Sequence, residues 1–187
     1  MPRIPGVAQK EASILVRLMY RMSRRRYGVV MEPASVAAHH DGVLAAWGSA
    51  ELVAEKGLRT LPASLRDLVS YRVATPVGCS WCVDFGTMLQ KLAGMDIDRL
   101  RQLNGYRDST HFTELEKLAI DYADAMTAQP PTVTDQQVSE LDSALGHKGL
   151  VELTFVIALE NLRARCFSAL GITDQGFTSG EACQIPA

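Results

Sequence analysis

Gly78-Cys79-Ser80-Trp81-Cys82-Val83-Asp84-Phe85-Gly86 puts two cysteines three residues apart, just after Pro76, at the head of an apolar segment that runs to Leu92. Pro76 and Gly78 read as the break before a helix, with the cysteines in its first turn. Helix positions i and i+3 share a face, so the two sulfurs come within disulfide reach at little cost in backbone movement. The unpaired N–H groups and the positive dipole end of a helix N-terminus favour a thiolate over a thiol. The pair therefore reads as a redox dithiol or as half of a zinc site.

Upstream of it, Leu61-Pro62 opens a helix with Leu65, Leu68, Val69 and Val73 as its buried stripe, and Pro76 predicts its stop. Asp67, Ser70 and Tyr71 make a polar strip beside that stripe, which faces the thiols if the two helices fold back on each other. Further upstream, Ile14, Leu15, Leu18, Met19 and Met22 recur at helical spacing between Lys10 and Arg25, and the Arg24-Arg25-Arg26 run complements the helix dipole. Met31 to His40 is a connector with a short helical turn. Asp41 is placed to cap a helix to about Lys56, with Val43, Leu44 and Trp47 on its buried side. Consecutive residues point in different directions on a helix, so His39-His40 reads as a helix start or surface feature and not as a metal pair.

Downstream, the dithiol helix runs to about Ala93 and closes at Gly94; Asp96 caps a short helix through Leu103, and Asn104-Gly105 marks a turn. Thr113 to Glu116 and Thr134 to Gln137 are capping boxes, each followed by helical apolar spacing, the first to Pro130-Pro131 and the second to Gly146. Leu150 to Leu170 is the longest helix. Its first half is apolar nearly all round, which suits a central helix or a subunit interface. Gly171 stops it, and an irregular tail follows from Thr173. The expected architecture is an all-α bundle of roughly six to nine helices.

A chain of 187 residues suits one domain, 1–187, with a redox core over about 61–172 and the tail over 173–187. Lys and Arg total 19 against 21 Asp and Glu, so no basic face argues for nucleic acid. No apolar run approaches the roughly 18 residues of a membrane span, and Met1 to Gly6 lack a signal-peptide core. A cytoplasmic protein with no membrane partner is expected. The four cysteines are too few for a secreted disulfide framework. A zinc site needs four ligands, usually with a second close pair, and Cys166 and Cys183 do not form one. Cys166 reads as a core residue and Cys183 as an incidental one; no metal and no cofactor are expected.

An all-α chain with this dithiol resembles the alkylhydroperoxidase D-like branch of the carboxymuconolactone decarboxylase family. The similarity is best over Leu61 to Ala93, and Val151 to Arg165 with Ala169 to Ile172 is similar to the family's last helix. Asp67, twelve residues before Cys79, stands where the family has Glu; Gly86, four after Cys82, stands where it has His. The resemblance implies a thiol-dependent hydroperoxidase of peroxiredoxin type with an antioxidant role. Cys82 would attack the peroxide, Cys79 would resolve the sulfenic acid, and Asp67 would help to take the proton. It also implies a hydroperoxide substrate, a thioredoxin-like or lipoyl-bearing reductant, and a homo-oligomer.

Thiol chemistry alone points to the opposite order, because Cys79 lies nearer the dipole. Loss of a positioned base costs about 10²–10⁴-fold, so Gly86 predicts a sluggish enzyme or a substitute base. Tyr71, His39, His40, His111 and His147 are the candidates. Asp84 points to another face than Cys82 and reads as a solvated or paired carboxylate, and Trp81 as a shield for the site or a core residue. The other readings are a disulfide relay or redox sensor without peroxidase turnover, and a lyase acting on a small lactone acid, against which the cysteine pair argues.

Overall fold

The computed structural model describes residues 2–178. Its elements are α1 (Ile14–Tyr27), α2 (Glu32–Ala37), α3 (Asp41–Lys56), α4 (Ala63–Val77), α5 (Ser80–Leu92), α6 (Asp98–Arg101), a 3-10 helix (Leu103–Gly105), α7 (Glu114–Thr127) and α8 (Asp135–Leu170). The described residues contain no strand, so the fold is the all-α bundle that the apolar periodicities predict.

Helix α4 lies at the centre because it is apolar on two sides. Leu65, Val69 and Val73 pack with Ala119 and Ala123 of α7 and with Leu141, Leu153 and Ile157 of α8. Leu68, Tyr71 and Ala74 pack with Cys79, Cys82 and Val83 at the start of α5. Arg72 ties α4 to α7 through both oxygens of Asp124, at 2.5 and 2.9 Å. The dithiol helix is thus held against the most enclosed element of the bundle.

Both capping boxes form, at Thr113/Glu116 and Thr134/Gln137. Gly146, at φ 68° and ψ 164°, breaks α8 into the two helices expected from sequence, which follow each other directly. One expectation is corrected. Helix α4 continues through Pro76 to Val77, and it is Gly78, left-handed at φ 76°, that ends it. Proline near a C-terminus costs only one late backbone bond, so the left-handed glycine and not the proline decides where the chain turns. In α1 the buried side chains are Val16 and Tyr20, while Ile14, Leu15, Leu18 and Met22 lie on the outer face. Helix α8 likewise divides its apolar first half: Leu153, Val156 and Ile157 enter the core, and Val151 and Phe155 are exposed.

Glu160 of α8 is buried beside Arg163, whose guanidinium reaches Glu160 at 3.0 Å and Glu51 of α3 at 2.6 and 2.7 Å. Burial pushes the Glu160 carboxyl up to about 7, against the pull of Arg163. A carboxyl raised above its unfolded value binds its proton more readily in the fold. Its contribution is therefore complete below the unfolded pKa near 4.5 and is lost as pH rises through about 7. Glu160→Gln is expected to remove a decline of about 1–3 kcal/mol between pH 5 and 8, measured as melting temperature against pH beside the wild type.

Candidate dithiol site

The site is built on the turn between α4 and α5. Gly78 reverses the chain, Cys79 takes extended backbone geometry as the N-cap of α5, and its Sγ accepts the N–H of Cys82 at 3.2 Å. Cys79 is therefore the cap and Cys82 the member inside the first turn, a one-position change from a pair lying wholly in the helix. The two are joined as a disulfide across a Cα–Cα separation of 5.3 Å. Cys79 is 1% exposed and Cys82 7%, so the earlier cysteine is the better covered, contrary to the usual order for a helix-start pair.

Tyr71 of α4 joins the same apolar cluster as both cysteines. A Cβ built at Gly86 would meet Tyr71 Cδ2 at 3.7 Å, so the tyrosine ring stands beside the position at which the family's histidine would begin. One turn before Tyr71 on the same side of α4, Asp67 is half-buried. Burial raises its carboxyl above the usual aspartate value, and the neighbouring Arg66 opposes the shift. A raised carboxyl is the stronger base once ionised. The structure thus carries Cys79, Cys82, Tyr71 and Asp67 on two helices that pack together.

Three of the four histidines are engaged elsewhere. His39 Nε2 meets the carbonyl of Pro5 at 2.8 Å, His40 Nδ1 caps α3 by accepting the Val43 N–H, and His147 pairs with Asp142 at 2.5 Å. His111 lies exposed in the turn before α7. Tyr71 is the one of the five substitute candidates that this chain brings to the dithiol. Gly86 is open to a methyl group, since nothing lies closer than 3.7 Å. Gly86→Ala is expected to stabilise the fold by about 0.5–1 kcal/mol, as replacing a mid-helix glycine does, read from denaturant midpoints at unchanged m.

Asp84, read from the sequence as a solvated or paired carboxylate, is not solvated; its partners are backbone amides and a hydroxyl. It is buried, and it accepts from the N–H groups of Gln175 (3.2 Å), Phe177 (2.9 Å) and Thr178 (2.9 Å) and from the Thr178 hydroxyl (2.8 Å). The same segment continues the attachment: Asp174 N donates to Ser80 Oγ at 3.3 Å, and Gln175 Oε1 accepts from Trp81 Nε1 at 2.9 Å. Phe177 sets its edge against Trp81 and Phe85, which stack on each other. Trp81 is a core residue, 7% exposed. From Thr173 to Thr178 the tail is irregular, as expected, yet it is strapped across the first turns of α5. Sequence reasoning missed Gln175, Phe177 and Thr178, because a contact about ninety residues distant leaves no local pattern.

Cys166 is half-buried against the core, as expected of it, and Cys183 lies outside the described residues. Among the described residues no group of three or more His, Cys, Asp or Glu is placed to hold a metal ion. No helix among them is long and apolar enough to cross a membrane. A cleft of about 670 Å³ lined by Met126, Gln129, Pro131, Asn161 and Arg165 contains none of the dithiol-site residues.

No family model matches the chain. It is 31% identical over 183 residues to the uncharacterized protein YnjA of Escherichia coli (strain K12), covering 92% of each chain. It is 32% identical over 91 residues to the alkyl hydroperoxide reductase Rv2159c of Mycobacterium tuberculosis, a match to 49% of this chain and 26% of that protein. Among solved structures, an alkylhydroperoxidase AhpD core protein, peroxidase-related, from Ralstonia eutropha JMP134 superposes with a TM-score of 0.80 at 12% identity over 94% of each chain. The debrominase Bmp8 superposes with a TM-score of 0.80 at 14% identity, over 93% of this chain and 92% of that one. With its dithiol at the spacing that resembles the alkylhydroperoxidase D-like branch of the carboxymuconolactone decarboxylase family, the chain is a relative of YnjA with the fold of the AhpD-like proteins.

Proposed function

We propose that this protein is a thiol-dependent hydroperoxidase of peroxiredoxin type. The observation that carries the reading is the Cys79–Cys82 disulfide at the start of α5, packed against the helix that bears Asp67. In the reduced state Cys82 loses its proton, and its thiolate attacks the hydroperoxide. The O–O bond breaks, the alcohol leaves, and Cys82 becomes a sulfenic acid. Cys79 then attacks that sulfur, water leaves, and the disulfide forms. A protein dithiol, thioredoxin-like or carrying a lipoyl group, gives two electrons to restore both thiols by exchange. Asp67 serves as proton acceptor.

Burial also supports this order of the two sulfurs. Cys82 is the less covered of the pair, while the Cys79 sulfur lies at the N-cap, where the helix N–H groups favour its thiolate as resolving and leaving group. The outward apolar side chains of α8 support a homo-oligomer. Bmp8 shows that one fold carries more than one chemistry, and at 14% identity its debromination does not pass to this chain.

The test is thiol titration of the fully reduced protein before and after brief exposure to a small excess of organic hydroperoxide. Rapid loss of two thiols per chain, with the Cys79–Cys82 disulfide found by peptide mapping, is the expected result. Loss only at the rate of free cysteine would remove the peroxidase reading and favour a disulfide relay.

A further inference from the structure

Residues 1–30 hold seven Lys and Arg against one Glu, whereas residues 31–187 hold 12 against 20. Five of those cations are the arginines of α1, a helix without an acidic residue. Among the described residues only Arg26 of the five pairs with a carboxylate, that of Glu55. Beside the arginines stands an apolar row that the bundle leaves uncovered. Ile14, Leu15, Leu18 and Met22 are 86, 66, 51 and 63% exposed, while Val16 and Tyr20 on the opposite face pack with Ala12, Ala37 and Leu44. Ile14, Leu18 and Met22 follow one another at i, i+4 and i+8; Arg17, Arg21 and Arg25 run in a parallel row, and Arg26 follows Met22 on the other side. Ser13 caps the start of the helix and left-handed Gly28 its end, so this two-faced helix is formed before any partner arrives.

We propose that α1 is a docking helix for an anionic lipid surface, lying in the plane of the headgroups with Ile14, Leu15, Leu18 and Met22 beneath them and the arginines at the level of the phosphates. Charge decides among the possible occupants. A second copy seated face to face would set arginine against arginine, with no acidic residue on either helix to offset them. The other outward apolar row, Val151, Phe155 and Leu162 of α8, lies between exposed Lys148 and Arg165 and offers no carboxylate either. A nucleic acid would satisfy the arginines and leave the four apolar side chains in water. Anionic phospholipid satisfies both: the apolar row enters the boundary of headgroups and acyl chains by about 5–10 Å, and the long arginine stems reach back to phosphate. The acidic remainder of the chain favours α1 as the face turned toward a negative surface. The expectation of no membrane partner rests on the lack of a spanning run, and no described helix does span; lying on a surface needs only a two-faced helix. Tyr27, the last residue of α1, packs against Phe85 of α5 at 5.5 Å between ring centroids, which ties the docking helix to the dithiol helix.

The experiment is co-sedimentation of the full-length protein with vesicles of phosphatidylcholine alone and of phosphatidylcholine mixed with phosphatidylglycerol. It compares the wild type with Arg21→Gln/Arg25→Gln and Leu15→Gln/Leu18→Gln. All four side chains are exposed and glutamine is a good helix former, so both double variants are expected to melt with the wild type. The wild type should bind the mixed vesicles, leave them as salt is raised, and ignore phosphatidylcholine alone. Removing the two arginines should weaken binding by about thirtyfold, at the usual gain per cation near an anionic surface, and removing the two leucines by about tenfold or more. A wild type that stays in the supernatant with mixed vesicles, or binding unchanged in either double variant, would overturn the proposal. So would a wild-type oligomer that Leu15→Gln/Leu18→Gln dissociates in the absence of lipid, which would give this face to a second copy. Cys82→Ser should bind vesicles as the wild type does, so the docking stands or falls apart from the peroxidase reading.

Discussion

Cys82→Ser is expected to lower hydroperoxide consumption by about a thousandfold or more, to the level of the remaining free thiols, as loss of a nucleophile does. A serine hydroxyl at this position has no neighbouring base strong enough to ionise it, and Cys79 is left 1% exposed with no partner for a disulfide. Cys79→Ser is expected to behave differently. Cys82 still meets peroxide once, but the sulfenic acid is not resolved, and turnover stops after one equivalent. Stopped-flow consumption together with sulfenic-acid trapping separates the two. The reverse pattern, with a single turnover in Cys82→Ser and none in Cys79→Ser, would exchange the roles of the two cysteines. The sequence leaves that order open, because dipole proximity favours Cys79 whereas the resemblance favours Cys82. Burial is the added fact: the N-cap position that stabilises a Cys79 thiolate also turns its sulfur inward, to accept the Cys82 N–H.

The parts of the fold legible in the sequence are those fixed within a turn or two of chain. Thr113/Glu116 and Thr134/Gln137 each hold both partners of a capping box three residues apart, and both boxes form. Gly171, left-handed at φ 66°, ends α8 where its residue type predicts. Asp67 and Tyr71 could be placed on one strip facing the thiols for the same reason, since i and i+4 are neighbours on any helix. Illegible features depend on what arrives from far along the chain. The apolar residues of α1 have helical spacing whichever way the helix is turned, and periodicity cannot say that Val16 and Tyr20 face the core while Leu18 and Met22 do not. Gln90 carries no mark in sequence distinguishing it from a surface glutamine; only its complete burial does. Asp84, two residues after Cys82, reads as an acid on the wrong face of α5, and its meaning comes from amides more than ninety positions later.

Asp84→Ala is expected to detach the 174–178 segment and to cost about 2–4 kcal/mol of stability. Two responses to the lost carboxylate compete. The segment can remain in place with the Gln175, Phe177 and Thr178 N–H groups unpaired, at about 1–3 kcal/mol for each buried donor. Alternatively it can lift away and hydrate those groups, at the cost of exposing the Trp81, Phe85 and Phe177 contacts, where burying one large apolar side chain is worth about 1.5–3 kcal/mol. Three unpaired donors together outweigh the part of the aromatic burial that is lost, so detachment is the cheaper course. Its consequence reaches the sulfurs, because the segment is fastened to Ser80 and Trp81, the two residues between the cysteines. Hydrogen exchange of residues 174–178 should rise to that of an open chain, and reduction of the Cys79–Cys82 disulfide by a small dithiol should quicken. Asp84→Asn keeps one acceptor oxygen and should fall between the wild type and Asp84→Ala in both measurements. Unchanged exchange in Asp84→Ala would mean that aromatic packing alone holds the segment; unchanged reduction with raised exchange would mean that the segment does not limit access to the dithiol.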